Sequence, residues 1–279
     1  MANVTFDGVS FRYAASTLDV LDGVSLEFRA GEITWLFGPL GAGCTTLLLV
    51  AAGLAPRHTG GTLVGAVSLL GRDPQASESA RFGQIGFVTA TPELQLSGIA
   101  ATVWEEVAFT PANLGWPIER IRSAADRALG LLGIEHLAHR SPRTLSGGEL
   151  QRTVIASMAV LQPKVWLLDE PASSLDQSGR IRTYELFRAE ADAGAIVILA
   201  SEEADALSTV ADRVIVLNDG RPVLDGAPGV VLAGDAIWDR GPGSTSIAGL
   251  ARAAGRLVES PLLAAPYPVT VAEGVVRWR

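Results

Sequence analysis

Two hydrophobic periods divide the chain. Val4 to Tyr13 and Leu18 to Phe28 alternate apolar and polar residues at the period of two expected of half-buried strands, with Asp22-Gly23 as punctuation. Ile33 to Phe37 is a short apolar run that ends in Gly38-Pro39-Leu40-Gly41-Ala42-Gly43. Thr45 to Ala55 then reads as a buried helix, so the order is strand, glycine loop, helix. Gly60 to Leu70 returns to strand character, and Ile85 to Val88 is a strand broken by Thr91-Pro92.

From Val103 to His139 the period becomes helical. Val103, Val107 and Ala108 share one face, and Ile121, Ala125, Ala128, Leu129 and Leu132 another. Pro111, Pro117 and Pro142 are expected to cut this region into short helices. Beyond it, Val165 to Leu168 predicts a buried strand, Arg180 to Asp192 a helix, Ala195 to Ala200 a buried strand and Glu203 to Thr209 a short helix. Arg213 to Leu217 and Arg221 to Leu224 flank Asn218-Asp219-Gly220, a preferred hairpin turn. Strands alternating with helices predict an α/β fold with a mainly parallel sheet and an antiparallel edge. After Gly226 the composition shifts; Gly241-Pro242-Gly243-Ser244 reads as a linker, followed by a helix near Ile247 to Val258 and a Pro-rich tail.

Bulk properties narrow the classes of function. With 279 residues, 48% of them hydrophobic, the chain is long enough for one large domain and an appendage. A net charge of -8 without a run of Lys and Arg excludes a nucleic-acid surface from the expectations. The single cysteine, Cys44, allows no internal disulfide and fits a reducing compartment. No signal-peptide pattern is visible, and the longest apolar run, Leu47 to Ala55, is too short to cross a bilayer. The expectation is a cytoplasmic protein that reaches a membrane only through partners.

Three stretches carry chemistry. Gly38 to Thr46 has the spacing of a phosphate-binding P-loop, in which backbone N–H groups surround nucleotide phosphates and the Thr45 hydroxyl takes Mg²⁺. Where such a loop has a lysine, this one has Cys44. Asp169-Glu170 ends an apolar strand; the pair is either a solvated strand cap or a site where Asp169 holds Mg²⁺ through water and Glu170 polarises an attacking water. In Leu145-Ser146-Gly147-Gly148-Glu149-Leu150-Gln151-Arg152, a serine suited to an N-cap and two glycines lead into a helix. There the positive end of the helix dipole faces whatever binds.

Taken in order, these residues resemble the ABC-type ATPases, whose signature LSGGELQR matches, and the resemblance runs from Asn3 to about Gly226. It implies a P-loop NTPase fold of the ABC ATPase type over 1–226, with a mixed sheet, an antiparallel β subdomain and an inserted helical subdomain at about 95–160. The remainder, 227–279, is a small C-terminal extension. It also implies a head-to-tail dimer in which one chain's P-loop and acidic pair meet the other's Ser146, Gly147, Gly148 and Glu149. ATP and Mg²⁺ are the implied cofactors. Gly38, Gly41, Gly43, Cys44, Thr45 and Thr46 fall at nucleotide-binding positions, Thr45 and Asp169 at metal positions, and Glu170 at the catalytic one. Tyr13 falls where the family stacks an aromatic on adenine; a strand tyrosine is also ordinary packing.

Two further departures accompany Cys44. Ala90 stands where the family has a glutamine, and Glu202 where it has a histidine beside the γ-phosphate, so a carboxylate replaces an imidazole. Three losses on one composite site beside an intact signature predict an asymmetric heterodimer with a sister ATPase that keeps its P-loop. Pro92-Glu93-Leu94-Gln95-Leu96, Thr102 to Phe109, Asn113-Leu114-Gly115 and the tail Pro266 to Trp278 resemble the ATPases of energy-coupling-factor importers. That resemblance implies a membrane-embedded coupling protein, a small substrate-binding membrane protein for a vitamin or metal ion, and a pairing role for the extension. A non-hydrolysing regulatory subunit and an exporter ATPase are the alternatives, with a soluble ABC ATPase acting on DNA or ribosomes disfavoured by the acidic charge. Cys44 at a helix start suggests a lowered thiol pKa, or simply a small residue in the lysine's place. Trp35 and Trp166 read as core, His136 and His139 as surface.

Overall fold

The computed structural model describes residues 3–76, 83–257 and 264–277. In chain order β1 (Asn3–Arg12), β2 (Leu21–Arg29), β3 (Ile33–Phe37), α1 (Cys44–Ala51), β4 (Thr62–Leu69) and β5 (Ile85–Val88) come first. The helices α2 (Val103–Asn113), α3 (Ile118–Leu132) and α4 (Gly147–Ala159) follow. Then come β6 (Val165–Asp169), α5 (Gln177–Asp192), β7 (Ile196–Ala200), α6 (Ala204–Leu207), β8 (Arg213–Asn218) and β9 (Arg221–Gly226). The extension holds α7 (Pro228–Val231), α8 (Ala236–Arg240), α9 (Ser246–Leu257) and α10 (Val271–Arg277). Among the described residues no helix is long and apolar enough to cross a membrane.

A six-stranded sheet in the order β5-β6-β7-β3-β8-β9 forms the centre, parallel except for the β8–β9 hairpin at its edge. Its inner strands are apolar on both faces because both faces are covered, and the pleat sorts their side chains into two cores. Trp35, Trp166, Leu168, Val197, Leu199 and Val214 point toward the helical side. Leu36, Leu167, Ile198 and Ile215 point the other way, onto α1 and the separate antiparallel sheet β2-β1-β4. The mixed sheet, the antiparallel subdomain and the helical subdomain expected from the sequence are all present.

Several local expectations need correction. Asp22-Gly23 does not punctuate; it lies inside β2, where the β1–β2 register shifts, and the strand begins at Leu21 rather than Leu18. The first helix starts at Cys44 and stops at Ala51, not Ala55. Pro111 does not break α2 but sits in its last turn, because the N–H it lacks would have served only one bond near the helix end. Pro117, by contrast, is the N-cap of α3, and Pro142 opens a 3-10 turn.

The stretch Gly241 to Ser244 is no free linker. Ser244 Oγ donates to the Leu232 carbonyl at 2.6 Å, and Thr245 is fully buried. Val231, Leu232, Ile237 and Val269 join the core on the helical side of the sheet, so the extension is packed against β8 and β9. Ala248, Ala251 and Tyr267 form a small cluster of their own with Trp238. Val258 and Trp278, the predicted ends of the last helix and the tail, lie outside the described residues.

Candidate nucleotide site

The loop from β3 to α1 is held by its own backbone: Ala42 N–H donates to the Pro39 carbonyl at 2.9 Å, and Gly220 N–H to the Ala42 carbonyl at 3.2 Å. Two of its glycines are required. A Cβ on Gly38 would lie 2.5 Å from the Leu217 carbonyl oxygen, and Gly43, at φ 103°, has the Val20 carbonyl 2.8 Å from where its Cβ would be. Gly43 is the N-cap of α1, with no side-chain cap and no acidic residue in the first turn. The helix therefore presents unanswered N–H groups and the positive end of its dipole to a cleft of about 610 Å³. This is a cradle that fits a phosphate.

The acidic pair faces it. β6 and β7 run parallel in register, with Asp169 beside Ala200, so the residues following each strand meet. Thr45 Oγ1 donates to Asp169 Oδ2 at 2.9 Å, joining a hydroxyl and a carboxylate that suit a hard cation such as Mg²⁺. Glu170 has φ 49°, an uncommon left-handed conformation for a side-chain-bearing residue, and its N–H is fixed to the Ala200 carbonyl at 2.9 Å. Its carboxylate accepts from Ser201 Oγ and from Glu202 N–H, each at 2.9 Å. Burial raises the pKa of both Asp169 and Glu170, opposed by the Thr45 bond in the first and the Ser201 and Glu202 bonds in the second.

Sequence reasoning missed the network behind Glu170. Ser201 also accepts from Glu203 N–H at 3.2 Å, and its carbonyl accepts from Trp35 Nε1 at 2.8 Å. Glu203 in turn accepts from the Tyr184 hydroxyl at 2.9 Å and pairs with Arg180 at 3.0 Å. Burial raises the Tyr184 pKa, helped by the Glu203 charge. The signal was a polar run starting directly after an apolar strand, beside the strand that ends in Asp169.

Cys44, Ala90 and Glu202 all line the cleft, so the three departures do converge on one place. Gln95 cannot stand in for the glutamine missing at Ala90. Its amide accepts from Thr89 N–H and donates to the Phe87 carbonyl, both at 2.8 Å. The expectation of a lowered Cys44 pKa is overturned. Burial, with the Asp169 charge next, pushes the thiol up to about 12, outweighing its place at the helix start. Thr46 has its hydroxyl 3.1 Å from that of Tyr13, which packs edge-on against Phe11 and does not line the cleft.

The signature lies elsewhere on the surface. Ser146 is the N-cap of α4 and forms a reciprocal capping box with Glu149, whose carboxylate also meets Arg140 at 3.1 Å. Ser146 and Gly147 are exposed, Gly148 and Glu149 half-buried, and none of the four lines the cleft. Trp35 and Trp166 are fully buried, and His136 and His139 are exposed.

A glycine phosphate loop between strand and helix, with a carboxylate pair at the end of a parallel strand one place removed in the sheet, defines a P-loop domain of the α/β class. The sequence pattern of the family described as ABC transporter matches residues 21–173, more than half of the chain, and the chain belongs to that family. It is 36% identical over 231 residues to a protein of Methanosarcina acetivorans named as an ABC transporter ATP-binding protein, covering 82% of this chain and 37% of the relative. The chain thus spans about two-fifths of the length of such Methanosarcina relatives. It is 35% identical over 232 residues to the energy-coupling factor transporter ATP-binding protein EcfA2 of Streptococcus sanguinis, covering 82% of each. The solved structure of cbiO1 from Clostridium perfringens, part of the ABC transporter complex cbiONQ, superposes with a TM-score of 0.73 at 28% identity, covering 92% of this chain and 98% of that one.

Proposed function

We propose that this chain is the ATP-binding subunit of an importer of the energy-coupling-factor type, working beside a sister ATPase with an intact P-loop. One observation carries the asymmetry: among the described residues no basic side chain lines the cleft, while the signature is intact, self-capped and exposed at Ser146 and Gly147 outside that cleft. In this reading Gly38, Gly41, Gly43, Cys44, Thr45 and Thr46 surround the nucleotide phosphates and Thr45 and Asp169 hold Mg²⁺. Tyr13, outside the cleft lining but joined to Thr46 by its hydroxyl, flanks a base that extends past the phosphates. Bound Mg²⁺ would offset phosphate charge. Glu170 has the position of the residue that orients water, but its own cleft turns over little ATP. Ser146, Gly147, Gly148 and Glu149 complete the sister's site across the dimer.

The similarity to EcfA2 and to cbiO1, each named for a transporter system, supports the importer class and its membrane partners. Those partners are a membrane-embedded coupling protein and a small substrate-binding membrane protein for a vitamin or metal ion, which together hold this subunit at the cytoplasmic face. The extension 227–279 contributes to pairing of the two ATPases. In the purified complex Ser146→Arg is expected to lower ATPase activity by at least about 100-fold, the scale of losing a key transition-state contact. Glu170→Gln is expected to leave it within about two-fold. The reverse pattern would place the working site in this chain and end the proposal.

A further inference from the structure

The cleft's charge has a specific imbalance. Asp169, Glu170, Glu202 and Glu203 line it, and among the described residues no lysine or arginine does. Arg180 reaches only Glu203, at 3.0 Å. Three carboxyl groups therefore face the phosphate cradle without a basic partner. The loop supplies backbone N–H groups and a helix dipole worth about half a positive charge. Nucleotide phosphates would bring several more negative charges into a half-enclosed space, where screening by water is weaker than at an open surface.

We propose that this cleft takes the nucleotide only as its divalent-cation complex, the cation doing for binding what a loop lysine would otherwise do. The inference rests on the nucleotide reading above and specifies the form of the ligand. Cys44 is central to it, because its neutral side chain sits at the start of α1, where a lysine would reach the phosphates directly. Glu202 adds to the effect from the opposite wall. It is exposed at the cleft, and its backbone N–H, not its side chain, is what bonds Glu170. Thr45 and Asp169, already bonded to each other, form the oxygen pair onto which the cation-bearing nucleotide would dock.

The experiment is equilibrium dialysis of the full 279-residue chain against radiolabelled ATP, once with Mg²⁺ and once with EDTA. Binding in Mg²⁺ that weakens at least about 100-fold in EDTA is the expected result, two tenfold steps in affinity. Cys44→Lys should narrow that gap to less than about tenfold by restoring binding in EDTA, and Glu202→Gln should narrow it by a smaller factor. The Gln variant keeps the backbone N–H that Glu170 uses, so it serves if Cys44→Lys does not fold. Equal affinity in the two buffers overturns the inference and leaves nucleotide binding standing. No binding in either buffer overturns both.

Discussion

Two helices of this chain begin at glycine-bearing turns, and their first turns are built in opposite ways. α1 follows Gly43, with no side-chain cap and no first-turn acid. α4 follows Ser146, which exchanges capping bonds with Glu149, and Glu149 is braced by Arg140. The dipoles have the same sense, so the difference lies in who answers the free N–H groups. At α4 the chain answers one of them itself, the Glu149 N–H through Ser146 Oγ at 3.4 Å, and the capping box fixes the turn. At α1 they are left for something external, yet the opposite wall is carboxylate. A helix end shaped by its own cap thus coexists with an uncapped one that faces carboxylates.

The largest effect expected from this contrast is chemical. Cys44 at α1 has a thiol pKa of about 12, so the thiolate fraction near pH 8 is roughly a thousandfold below that of an ordinary cysteine. Alkylation by iodoacetamide at pH 8 should be slowed by about that factor in the folded chain and normal in denaturant. The sign for stability follows: a pKa raised on folding contributes stability below the ordinary value of about 8.5 and loses it as pH rises toward 12. Rapid native labelling would show that α1 is tuned for reactivity after all.

The glycines offer a second, smaller test. Gly43→Ala places a Cβ 2.8 Å from the Val20 carbonyl at φ 103° and should cost about 2–3 kcal/mol. Gly147→Ala meets nothing closer than Ser174 Cβ at 3.8 Å at an ordinary φ, and should stay within about 0.5 kcal/mol. Urea denaturation of the two variants reads the difference. Equal costs would mean that the phosphate loop is no tighter than the signature turn.

Much of this is legible in the sequence. The wholly apolar runs at β3, β6 and β7 announced strands covered on both faces, and the motif order placed Cys44, Ala90 and Glu202 around one cleft. What could not be read was tertiary. Gln95 stands in a stretch that carries the importer resemblance, but the bonds of its amide to Thr89 and Phe87 are set by the fold. Ser201 bonds Glu170, Glu203 bonds Ser201, and Tyr184 and Arg180 meet Glu203 from a helix distant in sequence, so no local spacing revealed them. The Cys44 pKa failed for the same reason: a helix start is visible in sequence, whereas burial of the thiol beside Asp169 is not. Pro111 misled because a proline's effect depends on whether the bond it removes falls inside a helix or in its last turn.

The smallest effect tests the α4 side alone. The Glu149 carboxylate accepts from Ser146 N–H at 2.8 Å, and that bond, foremost, lowers its pKa. Glutamine can accept the same bond, so Glu149→Gln removes the charge while keeping the capping box. What is lost is the attraction of the charge to the helix dipole and to half-exposed Arg140, about 0.3–1 kcal/mol. The stability contributed by a lowered carboxylate pKa is present above its unfolded value of about 4.3 and disappears as pH falls through the folded value. The variant and the parent should therefore differ at pH 7 and converge in acid, as read by urea denaturation at each pH. Ser146→Ala, which removes the hydroxyl cap instead, should cost about 1 kcal/mol. A Glu149→Gln loss that persisted unchanged below pH 3 would mean the glutamine no longer closes the box, and the turn at α4 would then depend on more than its own cap.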